Sequence, residues 1–212
     1  HRTPIMKQAL TSVILSPRWN IPKSIGVKNI LPRVKRNPDY LKSREMQIVD
    51  GWNSPAREVP VEQINFNDFA EDPEQFPYRF VQLPGKYNQL GYVKFRLSNN
   101  KAIYMHDTPS KSLFNNDVRA YSHGCVRIEN PLELATYLIS RKDSNYTQDS
   151  VENFVQTGQQ KRIDLNYPLT VSLRYFCCEG TPEGDMRFYR DIYKKETQLR
   201  SYLSRLFYSK SE

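Results

Sequence analysis

Glycine is scarce in this chain, with 8 in 212 residues, and cysteine is scarcer still, with 3. An odd cysteine count excludes a fully paired intrachain disulfide framework, and the vicinal Cys177 and Cys178 are poorly placed to bond each other without strain. At least one thiol is therefore free. No apolar run approaches the roughly 20 residues that a spanning helix needs. The longest purely aliphatic run is Val13-Ile14-Leu15. The N-terminal region also lacks the continuous apolar core of a secretory signal. The chain opens on His1 rather than Met, which reads as a mature or excised fragment whose targeting sequence has been lost.

What is present argues for a folded domain. Hydrophobic residues make up 38% and charged residues 25%, with 10 Phe and 14 Tyr, a composition too aromatic for disorder and too polar for a membrane span. The length suits one domain, or one domain with an insertion, able to bury roughly 70% of its unfolded surface. Lys and Arg number 31 against 23 Asp and Glu, a net charge of +8 that favours an acidic partner such as nucleic acid, anionic lipid or an acidic cell-wall polymer. The basic residues are scattered rather than gathered into a stripe, which argues against nucleic acid.

Ten of the 14 prolines fall between Pro4 and Pro84. Such punctuation breaks long helices and central strands, so residues 19–85 read as loops with short helices, an insertion in the main fold. Asn37-Pro38-Asp39-Tyr40-Leu41 predicts one such helix, with Asn37 as N-cap and Pro38 in its first position. From Leu90 the pattern changes. Val93, Phe95 and Leu97 alternate with Tyr92, Lys94 and Arg96 as in a half-buried strand. Turn residues at 98–101 return the chain along a second strand, Ala102 to His106, with Tyr104 and His106 on one face.

Asn130-Pro131-Leu132-Glu133 predicts a helix start, with Leu134, Ala135, Leu138 and Ile139 inward. A second helix is expected from about Thr147 to Gln156, with Val151, Phe154 and Val155 inward and Gly158 as its stop. Strands are expected at 162–165 and 169–178, the latter with Leu169, Val171, Leu173, Tyr175 and Cys177 on one face, and a last strand around 186–193. Leu199, Tyr202, Leu203 and Leu206 have the spacing of a packing helix. The fold class is mainly β, of α+β type.

The strongest chemical signal is Ser122-His123-Gly124-Cys125. A nucleophilic cysteine acts as its thiolate, and an unperturbed thiol is only about 3% ionised at neutral pH. An imidazole can take the proton. His106, on a separate strand end, is the better base for Cys125, while His123 lines the site. Gly124 lets a substrate carbonyl approach the backbone, so that N–H groups near Gly124 and Cys125 form an oxyanion hole. Polar neighbours make 122–125 a poor core strand, so Cys125 reads as reactive, whereas Cys177 and Cys178 read as structural members of an apolar strand. His106, His123 and Cys125 match no usual zinc spacing, and no fourth ligand stands nearby. The Glu71-Asp72-Glu74 group reads as solvated surface.

These residues resemble the YkuD-type L,D-transpeptidases, whose signature is a strand histidine, a spacer loop, then Ser/Thr-His-Gly-Cys-x-Asn/Arg. Here it runs His106, fifteen intervening residues, then Ser122-His123-Gly124-Cys125-Val126-Arg127. Tyr104-Met105-His106-Asp107-Thr108-Pro109 and the Asn130-Pro131 helix start also resemble the larger periplasmic members of proteobacteria, the YcbB type. The resemblance implies a YkuD-like β-sandwich catalytic core from 1–18 and 86–212 and an inserted capping subdomain at 19–85. It further implies that Cys125 attacks a peptidoglycan tetrapeptide donor stem, expels D-Ala and forms a thioester. A diaminopimelate amine of an acceptor stem then resolves it into a 3→3 cross-link.

In this reading His106 is the base, and backbone groups of His123, Gly124 and Cys125 hold the oxyanion. Ser122, Arg127, Asp107 and Tyr104 line the substrate site, Arg127 holding either the loop or a stem carboxylate. Either the Asp107 side chain or a backbone carbonyl orients His106. No cofactor or metal is implied, carbapenems are expected to acylate the same thiol, and the resemblance implies a periplasmic location, the full-length protein being held by a membrane anchor absent from this chain. Two rivals remain: a Cys/His cell-wall peptidase or amidase, and a non-catalytic wall-binding module.

Overall fold

The computed structural model describes residues 2–51, 56–69 and 71–208, with side chains as far as Tyr202. The chain begins with β1 (Met6–Leu15) and β2 (Trp19–Asn20). A helical stretch follows, made of α1 (Lys23–Ile25), a π-helical turn and α2 (Leu31–Arg36), then α3 (Asp39–Ser43), β3 (Met46–Val49) and β4 (Arg79–Gln82). Next come β5 (Val93–Leu97), β6 (Tyr104–His106), β7 (Val126–Arg127), α4 (Pro131–Ser140) and α5 (Gln148–Gln156). The chain continues through β8 (Lys161–Leu173), β9 (Cys178–Gly180), β10 (Met186–Phe188) and α6 (Lys195–Tyr208). The fold is mainly β with a few helices.

The main sheet has the order β7-β6-β5-β1-β8. Sequence patterning does not single out β1, yet it is the widest-paired strand, antiparallel to β5 on one side and β8 on the other. The expected hairpin is present as β5 and β6, with Phe95 opposite Met105 and Lys94 opposite His106. Alternation sends Val93, Phe95 and Leu97 into the core beside Leu10, Val13 and Leu15. Helices α4 and α5 cover that face with Ala135, Leu138, Ile139, Val151 and Val155. Each fully buried aliphatic or aromatic side chain contributes roughly 1.5–3 kcal/mol relative to exposure, which makes this layer the main anchor for the strands that carry the motif.

Several expectations for the C-terminal third need correction. The two strands near 162–165 and 169–178 are one strand, β8, which ends at Leu173. Leu10 pairs with Leu169 and Ser12 with Asp164, so Leu165 to Pro168 leave the ladder, where proline has no N–H to donate. Leu169 is exposed rather than part of a shared buried face, and Cys178 is exposed while Cys177 is buried. The final strand is only the three residues of β10, paired with β9. Helix α6 forms as its spacing predicts, but Leu199 is 55% and Tyr202 60% exposed, because a stripe specifies a face and not what covers it. Leu203 and Leu206 lie outside the residues whose side chains are described.

The described residues of 19–85 hold more regular structure than their prolines suggest. They contain a three-stranded sheet, β2-β4-β3, with its own apolar cluster that includes Ile21, Leu31, Val34, Ile48, Phe76 and Phe80. Phe76 and Phe80 stack with ring centroids 5.4 Å apart. Strands of two and four residues, far apart in the sequence, leave too short a period for alternation to reveal. The helix expected to start at Pro38 begins one residue later, at Asp39, whose N–H donates to Asn37 Oδ1 at 3.0 Å. Glu71, Asp72 and Glu74 are exposed, as expected.

Fully buried Asn88 ties the two sheets where the chain passes between them. Its Nδ2 donates to Pro17 O (2.9 Å) and Leu83 O (2.8 Å), and its Oδ1 accepts from Leu90 N (2.8 Å). Among the described residues no helix is long and apolar enough to cross a membrane.

Candidate active site

Strand β7 is only two residues long, but it pairs in parallel with β6, placing Val126 beside Met105 and Arg127 beside His106. Ile128 N extends the pairing by donating to His106 O at 2.8 Å. This register draws the distant motif 122–127 against the end of the hairpin. Cys125, one step before β7, comes alongside Tyr104.

His106 is 7% exposed. Its Nδ1 lies 2.5 Å from the carbonyl oxygen of Asp107. A carbonyl only accepts, so Nδ1 carries the hydrogen and Nε2 holds the lone pair. Of the two candidate orienting groups, the backbone carbonyl is therefore the one in contact. The Asp107 carboxylate turns away. It accepts from Tyr92 N (2.8 Å) and Thr108 N (2.7 Å) and pairs with Lys111 Nζ at 2.7 Å. Burial drives the His106 pKa down to about 4, with the Arg127 and Lys94 charges acting in the same direction and Asp107 opposing. The ring is neutral at pH 7.

The Cys125 thiol is half-buried and donates to Ala102 O at 3.7 Å. Burial pushes its pKa up, while the Tyr104 N–H, the Lys94 ammonium and the Tyr104 hydroxyl favour the thiolate. The sulfur and the His106 ring share no hydrogen bond among the described residues. Both open on one cavity of about 660 Å³, which is also lined by Trp19, Asn20, Pro22, Ser24 and Ile25 from the second sheet and its helix. Its lining includes Lys94, Lys101 and Arg127 but no Asp or Glu among the described residues.

Gly124 has φ +113°, which an L side chain rarely adopts, and a Cβ there would stand 3.0 Å from Ile103 Cδ1. Glycine is thus required by the turn as well as by close approach. Gly124 N donates to Ser122 Oγ at 3.3 Å, and Ser122 Oγ donates to Cys125 O at 2.5 Å. Ser122 therefore closes the motif loop on itself. The Cys125 N–H has no intramolecular partner among the described residues and is the turn's available donor.

His123 is exposed and lines the same cavity. Arg127 lines it too, and also a second cavity of about 270 Å³ that shares Tyr121, Ser122 and Cys125. Its Nε and Nη1 are buried without a hydrogen-bond partner, and it makes no salt bridge among the described residues. Tyr104 sits edge-on to His106 with centroids 5.6 Å apart. The structure thus brings Tyr104, His106, Ser122, His123, Cys125 and Arg127 to one opening, and holds Asp107 behind it.

Sequence reasoning missed Lys94. Strand alternation assigns it to the polar face, and the register opposite His106 carries it into the cavity, with Nζ 4.0 Å from the Tyr104 ring centroid. The grouping of Cys177, Asp191 and Glu196 lies apart from this cavity, and Asp191 there caps α6 by accepting from Lys195 N and Glu196 N.

Comparison with known proteins identifies the family. Residues 1–144 match the model of the YkuD L,D-transpeptidase catalytic domain. A Haemophilus influenzae protein described as a "putative L,D-transpeptidase" is 30% identical over 198 residues, covering 93% of this chain and 38% of that protein. The chain therefore spans well under half the length of the curated relative it matches. By its matched residues and its fold, this chain belongs to the YkuD family of L,D-transpeptidase catalytic domains.

Proposed function

We propose that the chain is a peptidoglycan L,D-transpeptidase domain that forms 3→3 cross-links through a Cys125 thioester. The carrying observation is that Cys125 and a tautomerically fixed His106 open on one cavity that no carboxylate lines among the described residues. Cys125 attacks the carbonyl that joins the third stem residue to the terminal D-Ala. His106 Nε2 takes the thiol proton and returns it to the departing D-Ala amine, while the oxyanion is held by the Cys125 N–H. A diaminopimelate amine of a second stem then attacks the thioester and releases the thiol.

Arg127, with buried and unpartnered nitrogens, is suited to a stem carboxylate, and the surplus of basic residues matches an acidic wall polymer. Residues 19–85 act as a capping subdomain that walls the cavity, the remainder as the catalytic domain. The reaction belongs to the periplasm, and carbapenems acylate Cys125.

Incubation with a disaccharide tetrapeptide, followed by mass spectrometry, tests this. D-Ala release with dimer formation, lost in Cys125→Ala, is the expected result. Hydrolysis without dimers would mark a peptidase or amidase, and binding without turnover a wall-binding module. A carbapenem adduct at Cys177 or Cys178 in place of Cys125 would also overturn the assignment.

A further inference from the structure

The site poses an electrostatic problem. Burial opposes ionisation of Cys125, and His106 is held neutral without a hydrogen bond to the sulfur. A thiolate formed there needs a positive charge close by, because in a partly dry cavity an unpaired anion is costly. We propose that the Lys94 ammonium is the counter-charge of the Cys125 thiolate, a role that rests on Cys125 being the nucleophile.

Four observations meet on Lys94. Its place on β5 opposite His106 fixes its side chain on the face of the sheet that carries Tyr104 and His106. Its Nζ lies over the Tyr104 ring at 4.0 Å, and Tyr104 flanks the sulfur. It lines the Cys125 cavity. Among the described residues it has no salt bridge and no hydrogen bond, so its charge is not already neutralised by a carboxylate. A cation held against an aromatic face keeps its position without a counter-ion.

Other ionisable groups do not replace it. Burial pulls the Lys94 pKa down and the charge of a Cys125 thiolate pulls it back up, while Arg96, its exposed neighbour on β5, acts on it only by repulsion. From the loop before β6 comes Lys101, which is exposed and so screened by solvent, and from β6 come Tyr104 and the neutral His106. The motif loop supplies Tyr121 and the exposed His123, and β7 supplies Arg127, beside His106 rather than beside the sulfur. The wall from the second sheet contributes no ionisable side chain among the described residues. On ionisation the S–H bond breaks, its electron pair stays on sulfur, and the proton leaves by way of His106 Nε2 to solvent or to the departing amine. Lys94 stays protonated throughout and neutralises the sulfur.

The test reads the thiol alone, without a donor peptide. Alkylation by iodoacetamide is followed against pH at the Cys125 peptide by mass spectrometry, in the whole chain and in Lys94→Met, Lys94→Gln and Lys94→Arg. Removing the charge is expected to move the midpoint up by about one pH unit or more and to slow labelling at pH 7 about tenfold, with Lys94→Arg near wild type. Midpoints that coincide in wild type and both neutral variants would overturn the proposal, as would an Arg variant no better than Met. Lys94→Gln serves if Lys94→Met does not fold. D-Ala release by wild type with unchanged midpoints would sink the Lys94 role while leaving the transpeptidase reading intact.

Discussion

Gly91 and Asp107 are fitted to each other: a Cβ on Gly91 would stand 2.2 Å from Asp107 Oδ2. That oxygen accepts from Tyr92 N, while the carbonyl of the same aspartate fixes His106. The loop before β5 thereby controls the ring of the proposed base through one residue.

Gly91→Ala is expected to lower the unfolding free energy by about 3 kcal/mol, combining a left-handed φ with a displaced, charge-assisted hydrogen bond. Gly51→Ala is the control, since Gly51 also has positive φ but, among the described residues, nothing within 4 Å of its Cβ position. It should lose only about 1 kcal/mol. Urea midpoints of the two variants separate the backbone cost from the contact with Asp107. D-Ala release should fall at least tenfold in Gly91→Ala alone.

His106 makes stability depend on pH. Its folded pKa of about 4 is depressed below the ordinary 6.5, so between these values the unfolded chain binds a proton that the folded chain refuses. The contribution of the neutral ring is full above pH 6.5 and is lost as pH falls toward 4, to an extent on the order of 3 kcal/mol. Denaturant titrations across that window should show the decline. His106→Asn should flatten it, and an equal slope in the variant would assign the decline to other groups.

Arg127→Met separates function from stability. The arginine leaves Nε and Nη1 buried without partners, a cost of about 1–3 kcal/mol that an apolar replacement of similar length relieves. The variant should be at least as stable as wild type by thermal melting, with its KM for the tetrapeptide donor raised about tenfold or more. A destabilised variant with unchanged KM would make Arg127 a structural residue.

Asn88→Ala tests the junction between the sheets. Removing a fully buried amide that serves Pro17, Leu83 and Leu90 is expected to cost about 2–4 kcal/mol. Hydrogen exchange should rise at 17–22 and 80–90 while β1 and β8 stay protected. Uniform loss of protection would show that the two sheets unfold together.

Much of the site was legible because its signals are local. The β5–β6 hairpin, α4 and α5 follow from alternation, capping residues and helical spacing over short stretches. The Ser122-His123-Gly124-Cys125 segment is recognisable because a glycine and a thiol among polar residues make no sense as core. The group that orients His106 was not legible, since a backbone carbonyl has no residue identity. Nor was β1, whose period is broken by a register shift between Leu10 and Ser12 that leaves Ser12 and Val13 both buried, or the small second sheet, whose strands are too short to show a period.

The sequence by itself determined the candidate nucleophile, the preceding histidine, the family and the main helices, because each depends on residue type and near spacing. Only the tertiary structure decided which polar side chains face solvent and which face the sulfur. Lys94 and Arg96 occupy the same face of one strand in any alternation pattern. The second sheet and the motif loop cover Lys94 and leave Arg96 exposed. Burial of a charge is a property of what packs against it from elsewhere in the chain, and no local pattern carries that information.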